Sequence, residues 1–303
     1  MARAVEAGLL DAGEILDGII AVFPQSRSNV VHRVERNGVP VAYVKQRGAS
    51  SLLDGDDVVL NERSVLTALV RLECIPSALP VDGGNAVWVQ AMPGRPLAEI
   101  PCGSAAFDGA CRGLAQSLVQ LHTWSVDGPA AELPRAAEPW ALRPGNLPPS
   151  MAGSPPGSAF SAVLELARDP EVRAALGHAA AGWTRTAWIH GDVSANNVII
   201  HGDKASLVDL EGAGLGCPDW DLATAVSTLR GLGGTGTEFL TEYWRLGGPA
   251  RLDDAMLTVR ALQTAWQLAA LGSQPGGRAA DGAQQLEAAR RHAASFLATH
   301  GGR

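Results

Sequence analysis

No run in this 303-residue chain approaches the ~18 consecutive apolar residues that a membrane-spanning helix needs. The opening segment MARAVEAGLLDAGEILDGII is interrupted by Glu6, Asp11, Glu14 and Asp17, so it lacks the apolar core of a secretory signal. Cysteine is scarce and scattered. Cys74, Cys102, Cys111 and Cys217 form no C-x-x-C pair, which argues against both a zinc site and a disulfide framework. Basic charge is the minority, with 24 Lys and Arg against 31 Asp and Glu for a net −7, and no basic stripe is visible. That excludes a general nucleic-acid binder. The 35 glycines and 19 prolines follow no collagen-like period, and no repeat of fixed length is present. These absences leave a reduced, cytoplasmic, enzyme-sized protein with neither a membrane nor a nucleic acid as partner.

What is present suffices for a core. Hydrophobic residues make up 46% of the chain and charged ones 18%, and the length suits about two domains or one two-lobed unit. Asn29–Arg36 and Val39–Gln46 read as strands joined by Asn37-Gly38, the strongest short hairpin signal because both turn residues need positive φ. Helical spacing follows in Leu60–Leu72, and Ala86–Met92 is a further strand candidate closed by Pro93-Gly94. Beyond it the pattern is mostly helical: Ala106–Trp124, then Ser161–Trp183, then most of Asp221–His300. Short β-runs at Ala187–Ile189, Asn197–His201 and Ala205–Leu210 interrupt it, and Val126–Pro156 reads as a Pro- and Gly-rich surface segment. Strands first and helices after predict an α+β fold.

The chemistry is concentrated in Trp188–Ala223, WIHGDVSANNVIIHGDKASLVDLEGAGLGCPDWDLA. His190-Gly191-Asp192 opens it, Asn197 stands five residues after the aspartate, and Asp209 ends an apolar run twelve residues later. Glu211 follows, and a Gly-rich turn leads to Asp219-Trp220-Asp221. An isolated Asp-x-x-x-x-Asn is normally a turn. The set in register suits phosphoryl transfer, in which a carboxylate meets the acceptor hydroxyl and oxygen ligands hold a divalent cation on the nucleotide phosphates. Asp219 and His201 read as ordinary turn and hairpin residues.

The stretch resembles the catalytic region of the aminoglycoside phosphotransferase and choline kinase superfamily. The shared pattern is H-G-D-x-x-x-x-N, then V-D-L-E where I-D-W-E is more usual, then G-x-P-x-x-D-L-A. The resemblance implies a two-lobed, protein-kinase-like fold: a nucleotide-clamping lobe over residues 1–92, and a catalytic and acceptor-binding lobe over 93–303. Within the HGD motif of His190, it makes Asp192 the catalytic base. It makes Asn197 and Asp209 the Mg²⁺ ligands, and Asp221 a buried brace of the loop; whether Glu211 joins the metal stays open. Lys45 would contact the α/β-phosphates of ATP or GTP with Glu62 as its helical partner, Glu73 being poorly placed. No G-x-G-x-x-G precedes Lys45; the equivalent turn is Pro24–Asn29, so Ser26, Ser28 and backbone N–H groups would take that part. Gln90 and Met92 would meet the adenine through their backbones, Gly94 would allow a sharp exit, and His122 resembles a packing histidine.

The acceptor is the open part. An aminoglycoside would need carboxylates for its ammonium groups, and Glu238, Glu242, Asp253 and Asp254 are candidates at helix-surface spacing. Glu138-Pro139-Trp140-Ala141-Leu142 resembles a P-W-x-L segment of kinase-like proteins from modified-peptide (lanthipeptide or thioamitide) clusters, and so does the long Lys45-to-Glu62 spacing. That likeness implies a Ser/Thr of a precursor peptide as acceptor, together with partner proteins. A third possibility is a nucleotide-binding pseudokinase scaffold, against which Lys45, Asp192, Asn197 and Asp209 all stand intact.

Overall fold

The computed structural model describes residues 2–25, 30–46, 58–81, 86–125, 133–143, 158–272 and 279–300. Two short helices, α1 (Ala2–Glu6) and α2 (Ala12–Leu16), precede a four-stranded antiparallel sheet. Its strands run in sequence order: β1 (Ile20–Pro24), β2 (Val30–Arg36), β3 (Val39–Gln46) and β4 (Ala86–Gln90). Asn37 and Gly38 have φ of 52° and 75°, the left-handed pair that lets two residues turn β2 into β3. The register shifts between Val34 and Glu35, opposite Pro40, and β4 pairs only from Ala42 onward. The proline without an N–H thus sits where no ladder bond is lost. β1 lies ahead of the expected sheet. Its burial fades steadily along the strand, so no two-residue alternation marks it in the sequence.

Strand β4 is buried on both faces. Ala86 and Trp88 join a small core with Val34, Ala42 and Val44, while Val87 and Val89 join the main core. Lys45 pairs with Val87 in register, so it shares the main-core face and points toward α3 (Val58–Ala68). Helix α3 buries Val65 and Leu66 there, and it ends before the expected Leu72.

The remainder is largely helical. Helix α4 (Ala105–His122) is capped by Ser104, whose Oγ accepts from Phe107 N at 3.1 Å, and it buries Leu114, Leu118 and Leu121 completely. The single helix expected over Ser161–Trp183 is two, α5 (Ala159–Arg168) and α6 (Pro170–Gly182). Pro170 cannot continue the first, and Asp169 caps the second by accepting from Glu171 N at 2.9 Å. Helices α7 (Pro218–Gly231), α8 (Thr237–Arg245), α9 (Asp254–Gly272) and α10 (Ala279–His300) complete the chain. Among the described residues no helix is long and apolar enough to cross a membrane.

Two small antiparallel units interrupt the helices. Strands β5 (Arg95–Pro96), β7 (Val198–His201) and β8 (Lys204–Leu207) form one; β6 (Ala187–Ile189) and β9 (Gly214–Gly216) form the other. Gly94, at φ 119°, passes so close to the Ile200 carbonyl that no side chain would fit there. The loops linking these two units carry His190, Asp192, Asn197 and Asp209 to one place.

Candidate active site

The loop after β6 is held from below by a buried carboxylate. Asp221, in the first turn of α7 and fully buried, accepts from His190 N at 2.7 Å and Gly191 N at 2.8 Å. Gly191 has φ 84° and abuts the Gly212 backbone, so only glycine suits this turn. A directed chain of donors supports Asp221. Ala250 N donates to the Tyr243 hydroxyl (3.1 Å), which donates to His122 Nδ1 (2.8 Å), leaving His122 Nε2 to donate to Asp221 Oδ2 (3.1 Å). Burial holds the Tyr243 phenol above its ordinary pKa, so it remains a donor. His122 is thus part of the brace as well as of the packing.

His190 is also fully buried. Its Nδ1 accepts from Asp192 N at 3.2 Å, so Nε2 carries the proton and donates to Val208 O at 2.9 Å. Both ring nitrogens are occupied by backbone groups, and the ring ties the Asp192 loop to the strand leading to Asp209. Asp192 itself is exposed. Asn197 fixes it through Nδ2, donating to Asp192 O (3.1 Å) and Oδ2 (3.0 Å). This leaves the side-chain oxygen Oδ1 of Asn197 available to a ligand, its backbone carbonyl accepting from Val208 N at 2.9 Å.

On the facing side, Lys45 Nζ donates to Glu62 Oε1 at 2.7 Å and to Asp209 Oδ1 at 2.5 Å. Glu62 Oε1 also accepts from Leu210 N at 3.2 Å, and Asn61 Nδ2 donates to the Glu211 and Ala213 carbonyls. Helix α3 thereby grips the segment that carries Asp209. Burial alone would lower the Lys45 pKa, but the charges of Glu62 and Asp209 more than offset it and hold the ammonium above its usual value. Burial likewise raises Glu62 above the ordinary carboxylate range, against the pull of Lys45. Asp209 adopts a left-handed backbone, φ 67° and ψ 67°, a strained state that turns its carboxylate back toward Lys45.

Between these two assemblies lies a cleft of about 350 Å³ lined by Lys45, Glu62, Gln90, Met92, Asn197 and Asp209, with Tyr43, Val89 and Glu211 among its other walls. Gln90 N already donates to Ser77 O at 2.9 Å, so this backbone amide is not free for an adenine. Ser26 and Ser28 lie outside the described residues. Among the described residues no group of three His, Cys, Asp or Glu side chains could hold a metal alone. Asn197 and Asp209 instead offer hard oxygens from two side chains in one cleft, the donor set of a Mg²⁺ whose remaining ligands are phosphates and water.

The carboxylates suggested for ammonium groups are engaged elsewhere or on the surface. Glu242 pairs with Arg245 at 2.6 Å, Asp254 bonds to His292 and Ser295, and Asp253 caps Met256 N. Glu238 is exposed. Asp219 accepts from Arg251 N at 2.8 Å, and His201 stands exposed at the β7–β8 turn. Three residues of the site carried no sequence signal: Asn61, Trp220, whose indole donates to Gly191 O at 2.8 Å, and Arg260, buried against Trp220.

The profile of the phosphotransferase enzyme family matches residues 20–262, most of the chain. The protein belongs to that family. No curated protein matches it by sequence. Among solved structures, an aminoglycoside phosphotransferase of Streptomyces rimosus aligns at 21% identity and TM-score 0.54, over 86% of this chain and 97% of its own. The choline kinase LicA of Streptococcus pneumoniae aligns at 16% and 0.59, over 96% and 99%. An ethanolamine kinase of Plasmodium vivax aligns at 12% and 0.61, over 94% and 85%. Identities this low show the fold alone: an antiparallel amino-terminal lobe on a helical carboxyl-terminal lobe. In this phosphotransferase the segment carrying Asn197 and the Lys45–Glu62–Asp209 group line one cleft.

Proposed function

We propose that the protein transfers the γ-phosphoryl group of ATP to the hydroxyl of a small organic alcohol. The observation that carries this reading is the convergence on one cleft of Lys45, Asn197 and Asp209, with Asp192 fixed to Asn197 at 3.0 Å. Family membership and the ADP- and streptomycin-bound relative from S. rimosus support it. Residues 1–92 form the nucleotide clamp and 93–303 the catalytic and acceptor lobe. A cytoplasmic setting suits the donor nucleotide and the four free thiols.

Asp192 orients the acceptor hydroxyl and takes its proton late in the transfer, when the attacking oxygen has become acidic. Its carboxylate keeps one geometry because Asn197 Nδ2 donates to Oδ2 while the His190 ring holds the Asp192 backbone N–H. Lys45 holds the nucleotide phosphates, and Glu62 keeps the ammonium in place when Asp209 is drawn toward a cation. Mg²⁺ held by Asn197 and Asp209 would neutralise charge on the transferring group. His190, His122, Tyr243 and Asp221 position the loop without touching substrate.

Incubation with γ-labelled ATP, Mg²⁺ and separate panels of aminoglycosides, amino-alcohols, hydroxy acids and Ser/Thr-rich peptides tests the reading. A labelled phosphate monoester on a small alcohol supports it. Label on peptides only would move the acceptor to a polypeptide. Tight nucleotide binding with no transfer to any class would leave a scaffold and overturn the proposal.

A further inference from the structure

A buried cation with no ion-pair partner among the described residues stands beside the Asp192 loop. Arg260, in α9, is 9% exposed, and its guanidinium carbon lies 5.6 Å from the centre of the Trp220 ring. Trp220 donates through its indole nitrogen to Gly191 O, the residue before Asp192, so one indole ring links Arg260 to the loop. Arg260 Nε has no hydrogen-bond partner among the described residues, where the Trp220 face is its interaction partner. Burying an unpaired cation is costly, and stacking on an indole recovers only part of the cost. Burial lowers the Arg260 pKa, and the carboxylate whose field opposes this is Asp192.

The opposite arrangement is expected for a site built to hold a polycation. Such a site presents unpaired carboxylates, yet of the four candidates Glu242, Asp253 and Asp254 are engaged by neighbouring groups and Glu238 stands on the exposed surface. The same face of α9 is anchored in the two turns that follow Arg260. Gln263, buried one turn on, accepts from Ala141 N at 3.4 Å, and Trp266 packs on Trp140 with ring centres 6.2 Å apart. The guanidinium therefore sits on an anchored helix face, and its planar fork of donors has the geometry that matches a carboxylate.

We propose that Arg260 binds a carboxylate of the acceptor while the acceptor hydroxyl lies at Asp192, which makes the substrate a hydroxy-carboxylate rather than a purely cationic alcohol. The proposal rests on the kinase reading and narrows its acceptor. The other source of anionic oxygens near Asp192 is the nucleotide's γ-phosphate, and the test separates the two.

Titration calorimetry on the full chain at saturating Mg-ADP would compare L-serine with ethanolamine, and 4-hydroxybutyrate with 1,4-butanediol, alongside transfer from labelled ATP. The carboxylated member of each pair should bind wild type about tenfold more tightly. Arg260→Met should abolish that preference, Arg260→Lys should restore part of it, and neither should change the affinity for a non-hydrolysable Mg-ATP analogue appreciably. Failure of both carboxylates to bind wild type overturns the proposal, as does tighter binding of their uncharged or cationic partners. A loss of affinity for a non-hydrolysable Mg-ATP analogue in Arg260→Met, as large as the loss of the carboxylate preference, would assign the guanidinium to the γ-phosphate and also overturn it. Arg260-dependent carboxylate binding without any phosphoryl transfer would instead count against the kinase reading and leave the anion site standing.

Discussion

Lys45 and Arg260 are both buried cations, and they are built in opposite ways. Lys45 is held by two carboxylates, Glu62 and Asp209, at 2.7 and 2.5 Å. Arg260 has an indole face and no carboxylate partner among the described residues. In the proposed roles the nucleotide side therefore carries its own counter-charges, and a phosphate ligand would exchange one well-paired state for another. The proposed acceptor side would leave a charge in low dielectric for the ligand to neutralise. A paired buried ion is destabilising to break, whereas an unpaired one destabilises by its presence.

The largest test of that contrast is Glu62→Ala, which strips Lys45 of its more buried partner. It should cost about 3 kcal/mol of stability by denaturant unfolding, near the lower end of what a broken buried pair costs because Asp209 remains. A change under ~1 kcal/mol would mean that the pair contributes no more than a surface one. The pairing holds Lys45 above its ordinary pKa of 10.5, so its contribution is fully present below that pH and is lost only as pH rises through the higher folded value. Stability differences between wild type and Glu62→Ala should accordingly be flat from pH 7 to 9.

Asp209→Asn keeps a residue type that tolerates φ 67° but removes the ligating charge. Mg²⁺-dependent nucleotide affinity should fall on the order of 100-fold, with metal-free affinity little changed. Unchanged Mg²⁺ dependence in the titration would remove Asp209 from the metal site. Arg260→Met should move stability the other way. Replacing an unpaired buried cation by an apolar chain should raise it by about 1–2 kcal/mol, and a loss of stability would show that the guanidinium is already satisfied. The smallest effect belongs to Tyr243→Phe. It orphans Ala250 N and His122 Nδ1 at a cost of about 1 kcal/mol, with nucleotide affinity unaffected.

The parts legible in sequence are those fixed by local chemistry. Asn37-Gly38 could only turn, β4 read as a strand because both its faces are apolar, and α4 showed its Leu114, Leu118 and Leu121 stripe. The break at Asp169-Pro170 was legible in principle, since Asp before Pro is both a stop and a cap, but the apolar spacing runs through it. Strand β1 could not be seen because only its first residue is buried. Of the site, His190, Asp192, Asn197, Asp209 and Asp221 stood in one stretch and could be read as a unit. The roles of Asn61, Arg260 and Trp220 (itself inside that stretch) could not, because each acts through a partner distant in sequence. Asn61 reaches Glu211 and Ala213, Trp220 reaches Gly191, and Arg260 reaches Trp220.

The central claim is that Asp192 serves the acceptor hydroxyl while the nucleotide is held by other groups. Parallel measurement of labelled-phosphate transfer and Mg-ATP affinity in wild type and Asp192→Ala tests it most directly. Transfer should drop by a factor on the order of 100 or more, with Mg-ATP affinity within about twofold of wild type. Transfer by Asp192→Ala close to the wild-type rate would contradict it.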